Sequence, residues 1–316
     1  MATATSSAPT PTGTTTPRRR RPNHLLTPYL FMAPFLLLFS AFFILPLFYT
    51  IYQSLFVEKR VSAALDSDTY LAFNALNNYA KVIHDPQFLH GVVRVLGYGA
   101  IQIPLMVGLA LLLALAMDSA VIRFRPYFRL AFFLPYAVPG VIAVILWGYL
   151  YQPNLSPLVK GLVALHLLSH DANPLLSPGG ILYAIGNIST WQYTGYNMII
   201  LYSSLQAIPQ QIYEAARIDG ASELRIAFRL KLPLIIPSVI LAILFSVIGT
   251  LQLFNEPQIL KPISTAITTD FSPTMYGYYT AFAYQNYYYA GAIAVVLAVV
   301  TFGLSYFFIR LSQRQA

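Results

Sequence analysis

The chain has 316 residues, 57% hydrophobic and 9% charged, where an ordinary soluble domain carries about 25% charge. Its apolar residues gather in several runs longer than 18 residues, and a soluble fold of this make-up would expose large apolar patches and aggregate, so the class is an all-α polytopic membrane protein. The +8 net charge sits at the ends of the apolar runs and reads as topology signals, not as a nucleic-acid surface, and the absence of cysteine excludes disulfides, thiolate catalysis and cysteine-held metals.

Residues 1–28 form a basic leader. Its first 17 residues, “MATATSSAPTPTGTTTP”, have no periodicity and too little apolar surface to fold, and Arg18–Arg21 follow. The first apolar run, 29–56, is nearly twice as long as the roughly 7–15-residue core of a signal peptide and ends in no small-residue cleavage site. It predicts a spanning helix that stays attached. Five more spans are predicted at 91–117, 127–151, 180–207, 231–254 and 286–310, each longer than the ~20 residues that cross a bilayer. A tail of 312–316 closes the chain. Prolines 46, 104, 135, 139 and 237 fall inside the spans, where neighbouring helices can satisfy the backbone groups they free. Six spans leave two sets of connections, holding 13 and six basic residues. The richer set contains both termini and the loop 208–230, which places all three in the cytoplasm.

That loop holds seven of the chain's charges within 18 positions, Glu214 to Lys231. Pro209 suits the first turn of a short helix running to Asp219. Gln210, Glu214 and Arg217 share one face, and Ala215, Ala216 and Ile218 lie opposite. Gly220 stands where a C-cap must turn left-handed, and Ser222 with Glu223 suits the start of a second helix. An interfacial helix touching lipid headgroups would favour large apolar residues against Lys and Arg. Small residues and a balance of three acids with four bases predict docking on protein instead.

“EAARIDGA” with “LKLPLIIPS” downstream resembles the EAA-loop signature of binding-protein-dependent ABC transporter permeases, and of their sugar branch with its maltose-type permeases. “PYLFMAPFLLLFSAFFILPLFYTIYQSLF”, “FRLAFFLPYAVPGVIAVILWGYLY” and “WQYTGYNMIILYSSLQAIPQQIYEAARIDGA” match in the expected order, so the resemblance covers about residues 29–310. It implies a type I ABC importer permease fold in the cell inner membrane. It also implies a second permease subunit, ABC ATP-binding subunits and an extracytoplasmic solute-binding protein as partners. The EAA helix of such proteins seats in the ATP-binding subunit, which assigns that contact to Glu214, Ala215, Ala216, Asp219 and Gly220. Two departures, “KPISTAITTDFSP” in place of a “TGGGP”-like loop and “ALNNY” in place of “GLxNY”, leave the fold intact and the fine substrate assignment open.

No G-x-x-x-x-G-K-[ST] occurs, so ATP and Mg2+ belong to partner subunits, and this chain is expected to hold no cofactor and to be no enzyme. Paired acids and nucleophile–base arrangements are absent too. The five histidines, 24, 84, 90, 166 and 170, lie outside or at the edges of spans. His166 and His170, four apart without a third ligand, read as solvated loop residues. The middles of the spans hold almost no ionisable groups, which weighs against an ion-coupled secondary carrier and against a strongly anionic substrate. Arg94, near a helix end, is expected to snorkel, and Glu256 to lie at the outer edge.

The interior offers neutral hydrogen bonding and aromatic surface, which suits the hydroxyl rims and ring faces of sugars. Ser189, Thr190, Trp191, Tyr193 and Asn197 are candidates in the fourth span, and Ser246 and Thr250 in the fifth. The resemblance places sugar-lining positions on these helices at Ser189, Tyr193, Ser246 and Thr250. The competing role for such residues is helix–helix contact and interface anchoring. The Tyr-rich “MYGYYTAFAYQNYYYAG” reads as an aromatic belt or as a docking face for the binding protein. The expectation is an importer permease for a neutral sugar, most simply an oligosaccharide. A polyol, a glycerol phosphate ester or an amino acid are the other substrates within this class.

Overall fold

The computed structural model describes residues 26–60, 69–119, 122–152, 155–165 and 174–313. Nearly all of the predicted leader and tail, with His24, His166 and His170, lie outside them. The chain divides into Met1–Tyr49 and Thr50–Ala316. In the first unit α1 (Leu26–Phe39) and the start of α2 (Leu45–Ser54) are joined by a π turn, Ser40–Ile44, ahead of Pro46. Phe35, Phe39 and Phe43 stack along one side at 5.8 and 5.4 Å. Most side chains of this apolar helix face outward, Phe31 at 82% exposure among them, as a lipid-solvated span requires.

In the second unit a hairpin follows α2: β1 (Phe56–Arg60) pairs antiparallel with β2 (Thr69–Phe73), Phe56 opposite Phe73 and Arg60 opposite Thr69. Among the described residues the fold is therefore helical with one two-stranded addition, and the first span ends at Ser54, not at 56. The second asparagine of “ALNNY” fastens this junction, because Asn78 Nδ2 donates to Ser54 O and Phe56 O at 2.8 Å each. Then come α3 (Asn77–His84), α4 (Pro86–Asp118), α5 (Arg125–Ala137), α6 (Gly140–Tyr151), α7 (Pro157–Ala164), α8 (Ile181–Gln206) and α9 (Gln210–Ile218). They are followed by α10 (Glu223–Ile226), a π turn at Ala227–Lys231, α11 (Leu232–Leu251), α12 (Asn255–Leu260), α13 (Pro273–Phe282) and α14 (Tyr287–Gln313).

Among the described residues four helices are long and apolar enough to cross a membrane: Pro28–Ser54, Pro86–Asp118, Glu223–Leu251 and Tyr287–Arg310. The predicted third span is not one straight helix. It breaks between α5 and α6 with a bend of 91°, and the pair makes a fifth crossing if counted together. Pro139 forces Val138 out of the helical region (φ −72, ψ 127), and Gln192 Nε2 of α8 donates to the freed Val138 carbonyl at 3.1 Å. The fourth predicted crossing, α8, has 26 residues and hence spans about 39 Å. Its amides, hydroxyls and tyrosines make it too polar to pass as an apolar span.

Polarity is affordable in α8 because protein surrounds it. Thirteen of its residues are buried, and it packs against α4, α5, α6 and α11. Gln102 Nε2 of α4 donates to Gly186 O at 3.0 Å and Thr190 Oγ1 at 2.6 Å, and Tyr151 of α6 donates to Ala184 O at 3.1 Å. Gly195 lets α5 come against α8: a Cβ there would lie 1.7 Å from Phe132 O, so no other residue fits.

The segment between α11 and α14 is pinned to the bundle. Arg94 does not simply snorkel; its guanidinium donates to Phe271 O at 2.9 Å and Asp270 O at 3.3 Å and lies over the Phe271 ring at 4.9 Å. Two of the clustered tyrosines turn inward, and Tyr276 and Tyr289 donate to Asp85 Oδ2 at 2.7 and 2.6 Å. Tyr278, Phe282, Tyr284 and Tyr287 stay exposed. Desolvation raises the Asp85 pKa, but the hydrogen bonds from Tyr289 and Tyr276 and the backbone outweigh it and hold the carboxyl below its ordinary value. The clasp therefore stabilises the fold above the unfolded value near pH ~4 and is lost as pH falls through the lower folded value. Asp85→Asn should lower the thermal unfolding temperature in detergent at neutral pH, with the gap to the parent protein closing on acidification. A gap that stays constant at acid pH would show that the carboxylate charge does no stabilising there.

Candidate functional site

The loop after α8 folds as a helix and a sharp turn into the next span. Pro209 occupies the N-cap position, with φ −58 and ψ 134, one residue before the first turn expected for it. Asp219 caps the other end and Gly220 turns left-handed at φ +76. Ala221 N donates to Ala216 O at 2.9 Å and Gly220 N to Arg217 O at 3.0 Å, the two bonds of a Schellman motif. Ser222 Oγ accepts from Arg225 N at 3.4 Å, and Arg217 Nε donates to Glu223 at 2.8 Å across the turn. The second helix is not a separate surface element: from Glu223 the chain runs unbroken through the π turn to Leu251, so the fifth span begins inside the loop. Glu214, Ala215, Asp219 and Gly220 are exposed and Ala216 is half-buried. Ile218 is 86% and Leu224 72% exposed beside them, so the turn offers small and apolar surface together.

Beneath α9 lies a buried ion pair. Lys231 Nζ meets Asp118 Oδ2 at 2.5 Å with both side chains under a tenth exposed, and Gln206 Nε2 donates to Asp118 Oδ1 at 2.6 Å. Lys231 Nζ also lies 4.9 Å from the centre of the Tyr213 ring, the one buried residue of α9. Burial, and then the Asp118 charge, push the Tyr213 hydroxyl up to about 12. Lys231, counted above as a topology charge, thus ties the end of α4 and the end of α8 to the loop helix.

A cavity of about 250 Å3 opens between α4, α5, α8, α11 and α12. Tyr98 and Met106 face it from α4, Tyr136 from α5, and Ser189, Tyr193, Tyr196 and Asn197 from α8. Phe245, Ser246, Gly249 and Thr250 line it from α11, with Leu253 and Glu256 beyond. All four positions chosen from sequence, Ser189, Tyr193, Ser246 and Thr250, therefore meet in one place, and Asn197 joins them. Thr190 and Trp191 point elsewhere, Thr190 to Gln102 and Gly186 O and Trp191 to Trp147 at 5.8 Å. Within the cavity Tyr98 donates to Ser189 Oγ at 3.1 Å, Tyr136 stacks on Tyr196 at 4.6 Å, and Ser246 Oγ turns back to Ala242 O at 2.8 Å. Hydroxyls, one amide and flat rings can bind a polyhydroxylated ring on its edge and on its face.

The family described as binding-protein-dependent transport system inner membrane component matches residues 106–314. The chain belongs to this family. This permease is similar to the probable ABC transporter permease protein YurN of Bacillus subtilis (strain 168), 31% identical over 288 residues, 89% of this chain and 94% of YurN. It is similar also to the arabinooligosaccharides transport system permease protein AraP of the same organism, 27% identical over 285 residues, 90% of this chain and 88% of AraP. Its fold matches a chain of a bacterial ABC transporter involved in the import of the acidic polysaccharide alginate. The TM-score is 0.78, the identity 19%, and the match covers 92% of this permease and 96% of that chain.

Sequence reasoning missed Glu256, Tyr98, Tyr136 and Tyr196 as cavity residues of the permease. Its position after the fifth apolar run predicts the outer edge for Glu256. In the structure the chain turns after Leu251 and α12 folds back against α6 and α8, which brings the carboxylate to the cavity. Burial raises the Glu256 pKa above its ordinary value. The one signal available was that an acid directly followed an otherwise uncharged run.

Proposed function

We propose that this permease is the membrane-spanning subunit of an ATP-driven importer for a neutral oligosaccharide delivered by an extracytoplasmic binding protein. The observation that carries the reading is the convergence of Ser189, Tyr193, Ser246 and Thr250, with Asn197 and stacked tyrosines, on one cavity. The naming of the relative AraP for arabinooligosaccharides supports the substrate class. The loop and both termini face the cytoplasm of the inner membrane. There Glu214, Ala215, Ala216, Asp219 and Gly220 dock on an ABC ATP-binding subunit, which holds ATP and Mg2+, so this chain carries no cofactor and hydrolyses nothing itself. A second permease subunit completes the pathway. When the ATP-binding subunits close, a helix seated on them moves as a rigid lever, because its C-cap and its buried ion pair tie it to α4, α8 and α11.

Affinity purification from its own membrane in mild detergent is expected to co-isolate an ATPase and a second permease, and the reconstituted complex to take up neutral oligosaccharides only with ATP. A chain that moves sugar alone, without any nucleotide-hydrolysing partner, would overturn this function.

A further inference from the structure

The cavity contains one acid and no base. Glu256 lies in the first turn of α12, half-buried, and among the described residues its carboxylate is in neither ion pair. Asn197, 2% exposed, lines the same space, and its Oδ1 accepts no hydrogen bond from the described residues. An ionised carboxylate and an amide oxygen are acceptors alone. A ligand that brings donors, as hydroxyl and ammonium groups do, complements two such groups. A ligand with its own carboxylate or phosphate would place like charge against Glu256, with no cation in the cavity lining to offset it and with an effective dielectric well below that of water.

We propose that Glu256 is the charge filter of this permease: it admits neutral and amino-bearing sugars by accepting their donors and turns away uronic and phosphorylated ones. The ligand class rests on the sugar reading above; the field in the cavity does not. Asn197 is the second acceptor, holding a hydroxyl from the α8 side, while Tyr136 and Tyr196 offer a ring face.

The natural chain has no cysteine, so Thr250→Cys places a single reporter thiol on the cavity wall of the full chain. In membranes containing the complete importer, its modification by a trimethylammonium methanethiosulfonate and by a sulfonate methanethiosulfonate is followed by mass spectrometry. Each rate is divided by the same reagent's rate with free mercaptoethanol. The normalised cation-to-anion ratio is expected to be about tenfold and to fall to about one with Glu256→Gln. A ratio that Glu256→Gln leaves unchanged, or a thiol that neither reagent reaches, overturns the proposal. Should Thr250→Cys fail to reach the membrane, Ser246→Cys reports from one turn earlier. Maltotriose and a glucosamine trisaccharide should slow the labelling while a galacturonic trisaccharide should not, and Glu256→Gln should admit the last. Equal protection by all three sinks the filter. Protection by none, with the reagent ratio intact, sinks the sugar assignment and leaves the filter standing.

Discussion

Gly220→Val is expected to abolish uptake while the permease still inserts and assembles. Gly220 sits at φ +76, and nothing beyond its adjoining residues lies within 4 Å of where its Cβ would be, so the obstacle is the backbone conformation, not a packed neighbour. An ordinary L-residue in this region costs roughly 1–2 kcal/mol, and β-branching adds to it. The cheapest escape is for the turn to leave the left-handed region. That breaks the bonds from Ala221 N to Ala216 O and from Gly220 N to Arg217 O and frees α9 to swing on the start of the fifth span. Because α9 presents the residues proposed to meet the ATP-binding subunit, a small conformational cost translates into a large functional loss. Gly220→Asn, which tolerates a left-handed backbone, should retain much of the uptake. Transport assays on both variants, with membrane insertion as control, check this. Unchanged uptake in Gly220→Val would remove the turn from any coupling role.

Lys231→Met should be the most destabilising single change at the α9 end of the bundle, by about 3–5 kcal/mol. It leaves the Asp118 carboxylate buried with Gln206 as its remaining hydrogen-bond donor and takes the cation from the Tyr213 ring. Asp118→Leu combined with Lys231→Met removes both charges together and should recover most of the loss, since an apolar replacement of a whole buried pair is often neutral. Thermal unfolding in detergent separates these outcomes. Equal stability of Lys231→Met and the parent protein would show that the pair is solvated. The double variant also asks whether charge or packing seats α9, because restored stability with uptake still lost would assign the ion pair a mechanical role.

Sequence by itself determined four of the six predicted spans as single apolar helices, and the turn of the loop. A bilayer demands about 20 apolar residues per helix, which is a local property, so the runs at 29–56, 91–117, 231–254 and 286–310 correspond to helices within a few residues, apart from the early start at Glu223. The helix–glycine turn was equally local, since capping chemistry acts over six residues. Polar groups in apolar runs are costly unless they are used, which marks Ser189, Thr190, Trp191, Tyr193, Asn197, Ser246 and Thr250, and the family resemblance narrows these to Ser189, Tyr193, Ser246 and Thr250. Tertiary structure decided the rest. The break at Val138 is viable because Gln192, 54 positions away, receives its carbonyl. Asp118 and Lys231 are 113 residues apart in sequence, and no periodicity links them. The polarity of α8 and the inward turn of Glu256 likewise depend on which helices surround them. Hydropathy ranks each residue against its solvent, but whether a polar group finds a partner depends on packing between distant segments.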